Sequence, residues 1–161
     1  DGWNGYPLYT PNDPGSQTSG VDYITVPNVL GSVATDAATL LGDLELNTTV
    51  ASAATNTPKT VTAVSRASGG VAVLTASGAG AAYPIGTKVV VASVHATVNG
   101  TWTVVDSATN SISVATTDTS ALSASGLSGS VAGVAGTVKA QSIAAGQKRA
   151  AGTAMTITPW A

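Results

Sequence analysis

The sequence has no cysteine and no phenylalanine, and it contains a single methionine and a single histidine. Without cysteine, the chain has neither disulfide bonds nor thiolate ligands for a metal ion. Charged residues make up only 9% of the chain, where about a quarter is usual. The one adjacent basic pair, Lys148-Arg149, falls short of the clustered positive charge that phosphate binding requires, so no nucleic-acid partner is expected.

Long apolar runs are missing as well. No stretch approaches the roughly 20 apolar residues of a transmembrane helix, and no signal peptide is recognisable, so no membrane contact is expected. The apolar residues that are present are mainly alanine and valine. A core built from small and β-branched side chains favours sheets over helices. The predicted fold class is therefore α+β, and mostly β.

The sequence offers little for catalysis or metal binding. His95 is the only histidine, and a general base needs an orienting partner and a nucleophile within hydrogen-bonding reach. A hairpin would place Asp106 across from it, but a chain rich in Ser and Thr offers such neighbours by chance. The eight acidic residues are dispersed, and the spacing of Asp43 and Glu45 places them on different sides of a helix. We therefore predict a non-enzymatic protein without a cofactor or a metal ion.

Residues 1–23 differ in composition from the rest and hold three of the seven prolines. They also contain four of the seven aromatic residues, namely Trp3, Tyr6, Tyr9 and Tyr23. Because the prolines exclude a regular helix, we predict an extended N-terminal arm that does not fold alone. The arm could pack on its own domain, reach another subunit or remain a free tail. Aromatic side chains are enriched at interfaces, so these four residues and Trp160 form the candidate partner interface.

Residues 26–46, "VPNVLGSVATDAATLLGDLEL", contain the only clear helical pattern. We expect Ser32 to cap the helix and Asp36 to interact favourably with its positive N-terminal end. Apolar residues recur at helical spacing along one side. They are Val33, Ala37, Leu40, Leu41 and Leu44. A lone helix with two short strands cannot bury a core, so partner strands must come from elsewhere in the chain.

Residues 58–117 alternate with a period of two and are interrupted by short turns. Five strands are predicted, in "TVTAVSR", "VAVLTAS", "KVVVASV", "TWTVVDS" and "SISVATT". The stretch "ASGG" predicts a hairpin, and Asn99-Gly100 is a strong turn signal. The pattern is typical of a small barrel or sandwich, with Trp102 and Val104 as its core anchor. Residues 118–133, rich in Ser, Gly and Ala, are predicted to be a linker.

Extended structure returns in residues 134–161, in "VAGTVKAQS" and in "TAMTIT". Alternation places Met155 and Ile157 on one face of the second of these strands. We predict that both strands are the missing partners of the helix. Leu40, Leu41 and Leu44 should then pack against a small sheet that contains Met155 and Ile157.

The two ends of this arrangement resemble the PASTA domain, a small module found outside bacterial serine/threonine kinases and on penicillin-binding proteins. The matching residues are Val26, Pro27, Gly31, Ala37, Leu41 and Leu46 at the front and Gly136, Val138, Gln141, Ser142, Gly146 and Gly152 at the end. The chain departs from the pattern at Glu45, Ile143 and Arg149, where the family has a glycine, a proline and an apolar residue. The resemblance implies a strand-helix-strand-strand module formed by residues 24–57 and 134–161. Residues 58–117 would be an inserted all-β domain, which a loop tolerates because closure entropy grows slowly with length.

The inserted region is similar to a β-rich module of bacteriophage structural proteins. The matching residues are Gly86, Thr87, Val89, Asn99, Gly100, Thr101, Trp102 and Val104. This resemblance implies a virion structural protein, with a capsid decoration or cement protein on the capsid exterior as the first expectation. Its partners would be the major capsid protein and sister subunits, with a homotrimer as one arrangement. Two alternatives stay open: a tail or fibre component, and an exported module that binds cell-wall peptidoglycan.

Overall fold

The computed structural model describes residues 23–161 of the chain. The predicted interface residues Trp3, Tyr6 and Tyr9 lie outside this range. Strands make up most of the regular structure, which confirms the expectation of a mostly β protein. Within residues 23–161, no helix is both long and apolar enough to span a bilayer.

The elements fall into three groups along the chain. The first group is β1 (Tyr23–Thr25), α1 (Ala34–Asp43) and β2 (Asn47–Val50). The second is β3 (Lys59–Arg66), β4 (Val71–Ala76), α2 (Ala79–Ala82), β5 (Lys88–Ala92), β6 (Gly100–Ala108), β7 (Ser111–Ala115) and β8 (Leu122–Gly133). The third is β9 (Val138–Gln141), β10 (Lys148–Ala150) and β11 (Ala154–Pro159). The first and third groups pair with each other, and together they are called the flanking unit.

The second group forms a closed antiparallel barrel with the strand order β3-β4-β7-β6-β5-β8. All five strands predicted between residues 58 and 117 are present, and they belong to a barrel and not to a sandwich. A barrel of eight strands is just wide enough to be filled by side chains, so six strands enclose a narrower space. The barrel core is accordingly built mainly from alanine and valine, with Leu74 and Ile112 among its few larger members.

The aromatic anchors of the barrel core differ from the predicted ones. Val104 is buried as expected, but Trp102 is only partly buried, and its indole N–H donates to the Val98 carbonyl at 2.7 Å. The two aromatic side chains buried in this core are Tyr83 and Trp160. Tyr83 follows α2 in a stretch that reads as a Gly/Ala loop, and Trp160 follows β11 of the flanking unit.

The prediction of a linker at residues 118–133 is wrong, because Leu122–Gly133 form β8, the longest strand of the described chain. β8 pairs with β3 on one side and with β5 on the other, and it thereby closes the barrel. Its small residues reflect close packing: a Cβ atom on Gly129 would lie 2.5 Å from Val94 and 2.6 Å from the Ser93 carbonyl oxygen. The register with β3 also shifts near Gly126, which has a φ of 68°, so the strand shows no unbroken alternation.

The flanking unit contains a three-stranded sheet, β2-β11-β9, and a two-stranded sheet, β1-β10. β11 lies parallel to β2 and antiparallel to β9. The strands predicted in "TVKAQS" and "TAMTIT" are therefore present and share one sheet beside the helix. Leu41, Met155 and Ile157 are fully buried in a core that is separate from the barrel core.

The N-terminal end of α1 differs from the prediction. Its capping residue is Val33, which makes no side-chain hydrogen bond, so the prediction of a Ser32 cap is wrong. Ser32 has another role, since its carbonyl accepts a hydrogen bond from the Val138 N–H of β9 at 2.8 Å. Asp36 does lie in the first turn, where its carboxylate interacts favourably with the positive end of the helix dipole.

The C-terminal end of α1 closes with two backbone hydrogen bonds. The N–H of Glu45 donates to Gly42 at 2.8 Å, and the N–H of Leu46 donates to Leu41 at 3.0 Å. This pair of bonds is a Schellman motif, and Leu46 and Leu41 also share the same buried core. Glu45 accordingly has a φ of 61°, a conformation that glycine adopts more readily.

Only part of the apolar stripe of α1 is buried. Ala37 and Leu41 face the core, whereas Leu40 is 47% exposed and Val33 is 50% exposed. The prediction that Leu40 packs against the sheet is therefore wrong. Adjacent residues point about 100° apart around a helix, and the short sheet beneath α1 covers only the side that carries Leu41.

Leu41→Ala is expected to lower the free energy of unfolding by about 2–5 kcal/mol, because it leaves a cavity between α1 and β11. Leu40→Ala is the matched control in the same helix, and its effect should be about 0.5 kcal/mol or less. Urea unfolding followed by circular dichroism would measure both. Equal losses for the two variants would contradict this packing of α1.

Candidate functional site

Trp160, one of the predicted interface residues, is buried within the chain, with 3% of its surface exposed. Its ring lies 5.5 Å from the Tyr83 ring, and the Lys139 ammonium lies 4.5 Å from its ring centroid. A Cβ atom on Gly133 would lie 2.4 Å from the ring, so the ring rests directly on the backbone of β8. This position contradicts the prediction that Trp160 contacts a partner.

Hydrogen bonds fasten the end of β11 to the loop that leaves the barrel after β8, and the Asn56 side chain bonds the last residue of β8. Trp160 donates to Thr137 at 3.0 Å and accepts from Gly136 at 2.9 Å. The Asn56 side chain bonds both backbone groups of Gly133, at 2.7 and 2.9 Å. Among the described residues, the Trp160 indole N–H has no hydrogen-bond partner, so packing holds the ring in place. Trp160 therefore joins the flanking unit to the barrel.

Tyr83 fills the barrel next to Trp160. Its hydroxyl donates to the Val131 carbonyl at 2.9 Å, and its ring is fully buried. Burial raises the pKa of Tyr83 above its ordinary value, because a phenolate would be poorly solvated there. Tyr83 is thus held as a neutral donor that closes this end of the barrel.

Arg66, the last residue of β3, is buried at the other end of the barrel from Tyr83 and Trp160. Its guanidinium donates to the Ser120 carbonyl at 2.7 Å, to the Thr116 hydroxyl at 3.0 Å and to the Thr97 hydroxyl at 3.1 Å. It also forms an ion pair with Asp118 at 3.2 Å. A buried guanidinium is tolerated when its donors are satisfied, so this network fixes the end of β3 against the β7–β8 loop.

The single histidine lies beside this network and not in a strand. His95 occupies the β5–β6 loop, where its Nδ1 is 2.9 Å from Thr97 Oγ1. Asp106, predicted across a hairpin from it, accepts a hydrogen bond from the Ser107 N–H at 2.8 Å. In residues 23–161, no three His, Asp or Glu side chains are grouped closely enough to hold a metal ion.

An open concavity of about 340 Å³ lies where the flanking unit meets the barrel. Three separate segments line it: the β1–α1 loop, the loop after α2, and β9 with the loop that follows. The lining residues are Asn28, Leu30, Pro84, Lys139, Ala140, Gln141, Ala144 and Ala145. Most of these eight are apolar, and Lys139 is the charged one among them. A mainly apolar hollow with a few polar groups is typical of a binding site.

Gln141 holds the wall of the concavity in place. Its side-chain oxygen accepts from the Val29 N–H at 2.9 Å, and its amide donates to the carbonyls of Pro27 at 3.1 Å and Ile143 at 2.7 Å. The next residue, Ser142, accepts from the Thr156 N–H at 2.8 Å through its hydroxyl. These bonds tie the β1–α1 loop to β9 and the loop after it. The concavity is therefore preformed.

Tyr23 is the remaining predicted interface residue. It begins β1 and is 63% exposed. β1 pairs with β10, and no other strand within residues 23–161 pairs with it. Tyr23 is thus accessible where Trp160 is not, and the two do not form one surface.

The sequence carries no local signal for the concavity. Gln141 appeared only as part of a resemblance, and Lys139 was not singled out, although alternation in β9 places these two residues on one face. Pro84 gave no signal, because the loop that contains it is more than fifty residues away from both in the chain.

Gly133→Ala is expected to destabilise the protein by about 1–3 kcal/mol or more, because the added methyl group would collide with the Trp160 ring. Gly42→Ala is the control: it lies in α1 with nothing within 4 Å of the new atom, and it should stabilise by about 0.5–1 kcal/mol. Chemical denaturation measures both. Unchanged stability of Gly133→Ala would contradict the direct contact of ring and backbone.

Asp118 should make the stability of the protein depend on pH in the acid range. Ser120, through its backbone N–H and its hydroxyl, and then Arg66 hold the pKa of Asp118 below its usual value. Its contribution is therefore present above the unfolded-state pKa and is lost as pH falls through the folded-state pKa. Asp118→Asn should lower the stability of the protein at neutral pH, and the variant should then lose less stability than the original chain as the pH decreases. Thermal unfolding from about pH 7 to pH 2 measures both effects. An unchanged acid profile would exclude this role.

No protein-family model, no curated protein and no solved structure matches the chain.

Proposed function

We propose that the protein is a non-enzymatic structural component of a bacteriophage virion, most simply a capsid decoration or cement protein. It would bind the major capsid protein on the outside of the head and stabilise the shell. The observation that carries the proposal is a barrel filled by its own side chains and packed against a second unit through Trp160. Such a body is suited to adhesion through its surface and through the predicted N-terminal arm.

The distribution of charge supports an adhesive surface. Only eleven of the 139 residues from 23 to 161 are charged, and Arg66 and Asp118 among them pair with each other. Depletion of charged residues is a feature of the cores of protein interfaces. Aromatic anchors supply much of the binding energy at such interfaces, and the arm contributes Trp3, Tyr6 and Tyr9. An extended arm can also add a strand to a neighbouring sheet edge.

The phage assignment draws on the resemblance of the barrel to a module of phage structural proteins. The two matching stretches begin β5 and β6, and these strands pair with Val89 opposite Trp102. Residues that match the module therefore belong to one hairpin and not to scattered surface positions. A homotrimer is the proposed assembly, since capsid lattices offer three-fold sites. Sister subunits and the major capsid protein would then be the partners.

Two other functions have some support. A tail or fibre component would use the same modules and should bind host cells. The resemblance of the flanking unit to PASTA domains supports an exported, extracellular module that binds peptidoglycan. Binding to purified cell-wall sacculi would favour this last alternative, and its absence would count against it.

The arm is expected to determine attachment. Deleting residues 1–20, or replacing Trp3, Tyr6 and Tyr9 together by alanine, should strongly reduce occupancy on purified capsids, measured by quantitative mass spectrometry of the particles. Tyr83→Phe, which changes a buried hydroxyl and leaves the arm intact, is the control and should keep its occupancy. Full occupancy after both arm changes would rule out attachment through the arm.

A further inference from the structure

We propose that Asn99-Gly100, where the β5–β6 loop meets β6, is a latent site of spontaneous covalent modification. The closed barrel protects this asparagine, whereas opening of the β5–β6 hairpin lets it lose ammonia and become isoaspartate. Isoaspartate at this position no longer fits the loop, so a hairpin modified while open cannot close again. The proposal concerns the barrel alone and does not depend on a location in a virion.

The reaction requires only these two residues and water. The backbone nitrogen of Gly100 bonds to the side-chain carbonyl carbon of Asn99, and the bond between that carbon and the side-chain nitrogen breaks. The released nitrogen takes the Gly100 proton and leaves as ammonia, and a five-membered succinimide ring remains. Water then opens the ring at one carbonyl to give aspartate, or at the other to give isoaspartate. Glycine permits the attack readily because it has no Cβ atom.

The side chain of Asn99 holds the β5–β6 loop together. Its Oδ1 accepts from the backbone N–H groups of Val94 at 2.9 Å and His95 at 3.3 Å. The backbone N–H of Asn99 in turn donates to the His95 carbonyl at 2.8 Å. Ring closure imposes new torsion angles on both the backbone and the side chain of Asn99, so it strains or breaks these three bonds. Each of them therefore opposes the reaction while the hairpin is closed.

The attacking nitrogen is also occupied in the closed hairpin. The Val134 N–H donates to the Lys88 carbonyl at 3.0 Å, so Lys88 and every second residue after it in β5 direct their backbone groups toward β8. Val91 consequently directs its groups toward β6, where Gly100 lies opposite it. An amide nitrogen attacks a carbonyl only after it has lost its proton, and amide protons inside a ladder are protected from solvent. The Gly100 nitrogen therefore becomes reactive when β6 separates from β5.

Trp102 secures the same point from the side of β6. Its ring lies against Gly100, because a Cβ atom there would be 3.4 Å from the ring, and its N–H donates to the Val98 carbonyl at 2.7 Å. The Val98 N–H donates in turn to the His95 carbonyl at 2.9 Å. Trp102 thus ties the loop to the first residues of β6. Loss of the indole N–H should loosen the loop around Asn99.

The two products have opposite effects on the loop. Aspartate leaves the backbone unchanged, and its carboxylate accepts from Val94 and His95 as the amide oxygen does, through charge-assisted bonds. Isoaspartate adds a carbon atom to the backbone before Gly100 and moves the carboxylate to a side branch. The acceptor then leaves the two N–H groups, and Gly100 loses its place opposite Val91. Isoaspartate is therefore the product that keeps the hairpin open.

The rate of modification in the folded protein tests the protection. The full-length protein would be incubated at mildly alkaline pH, with and without urea sufficient to unfold it, beside a synthetic peptide of residues 94–105. Peptide mapping by mass spectrometry quantifies isoaspartate at residue 99 and separates it from Asn4-Gly5, the other Asn-Gly pair of the chain. We expect the folded protein to react many-fold more slowly than the peptide, and the unfolded protein to match the peptide. Equal rates in the folded protein and the peptide would overturn the protection.

Two variants test the contribution of the indole. Trp102→Phe keeps a ring and removes the donor to Val98, so isoaspartate should form several-fold faster in the folded protein but no faster in urea. Val105→Ala, at an exposed position of the same strand, is the matched control and should leave the rate unchanged. Circular dichroism verifies that both variants are folded. An unchanged rate in Trp102→Phe would contradict the role of the indole.

Refolding separates the effects of the two products. After partial modification in urea, the urea is removed and the folded fraction is isolated by size-exclusion chromatography. We expect this fraction to contain asparagine and aspartate at residue 99 and to be depleted of isoaspartate several-fold. Asn99→Asp is the control variant, and it should refold as completely as the original chain. Isoaspartate at its starting proportion in the folded fraction would overturn the block to closure.

Discussion

The contact between the Trp160 ring and the backbone of Gly133 is the interaction on which the arrangement of the two parts depends. Trp160 follows the last strand of the flanking unit, yet its ring belongs to the core of the barrel. The Asn56 side chain and the bonds to Gly136 and Thr137 reinforce the same junction. The concavity beside this junction has walls that come from both parts.

The unusual composition follows from the narrowness of the barrel. Six strands leave room mainly for alanine and valine inside, with Leu74 and Ile112 among the few larger side chains. Glycine is required where backbones or rings approach closely, as at Gly129 and Gly133. The two ends are closed differently, by Tyr83 and Trp160 at one and by the Arg66 network at the other. The low content of large apolar residues is thus a property of this architecture and not a sign of a loosely folded chain.

Local patterns predicted the elements well and the contacts between elements poorly. Alternation and turn residues were sufficient to predict β3 to β7, β9 and β11, because each of these strands is half-buried and flanked by turns. β8 was missed since its inward positions include glycines and change phase at Gly126, so composition resembled that of a linker. Trp160 was predicted to contact a partner because the residues next to it in the sequence do not indicate that it packs on Gly133 and Tyr83 of the barrel. The concavity was invisible for the same reason: its walls come from three separate segments.

The pairing of the first and last groups of elements also sets an order in which the molecule can fold. Leu41 and Met155 share a core but are 114 residues apart in the chain. During synthesis, α1 leaves the ribosome long before β11 exists, and it has no sheet to cover its apolar side. The barrel strands lie between them, and they can close first because their contacts are nearer in sequence. A closed barrel brings the ends of its own segment together, which shortens the effective loop that α1 and β11 must close. The middle of the chain therefore acts as a template for joining its two ends.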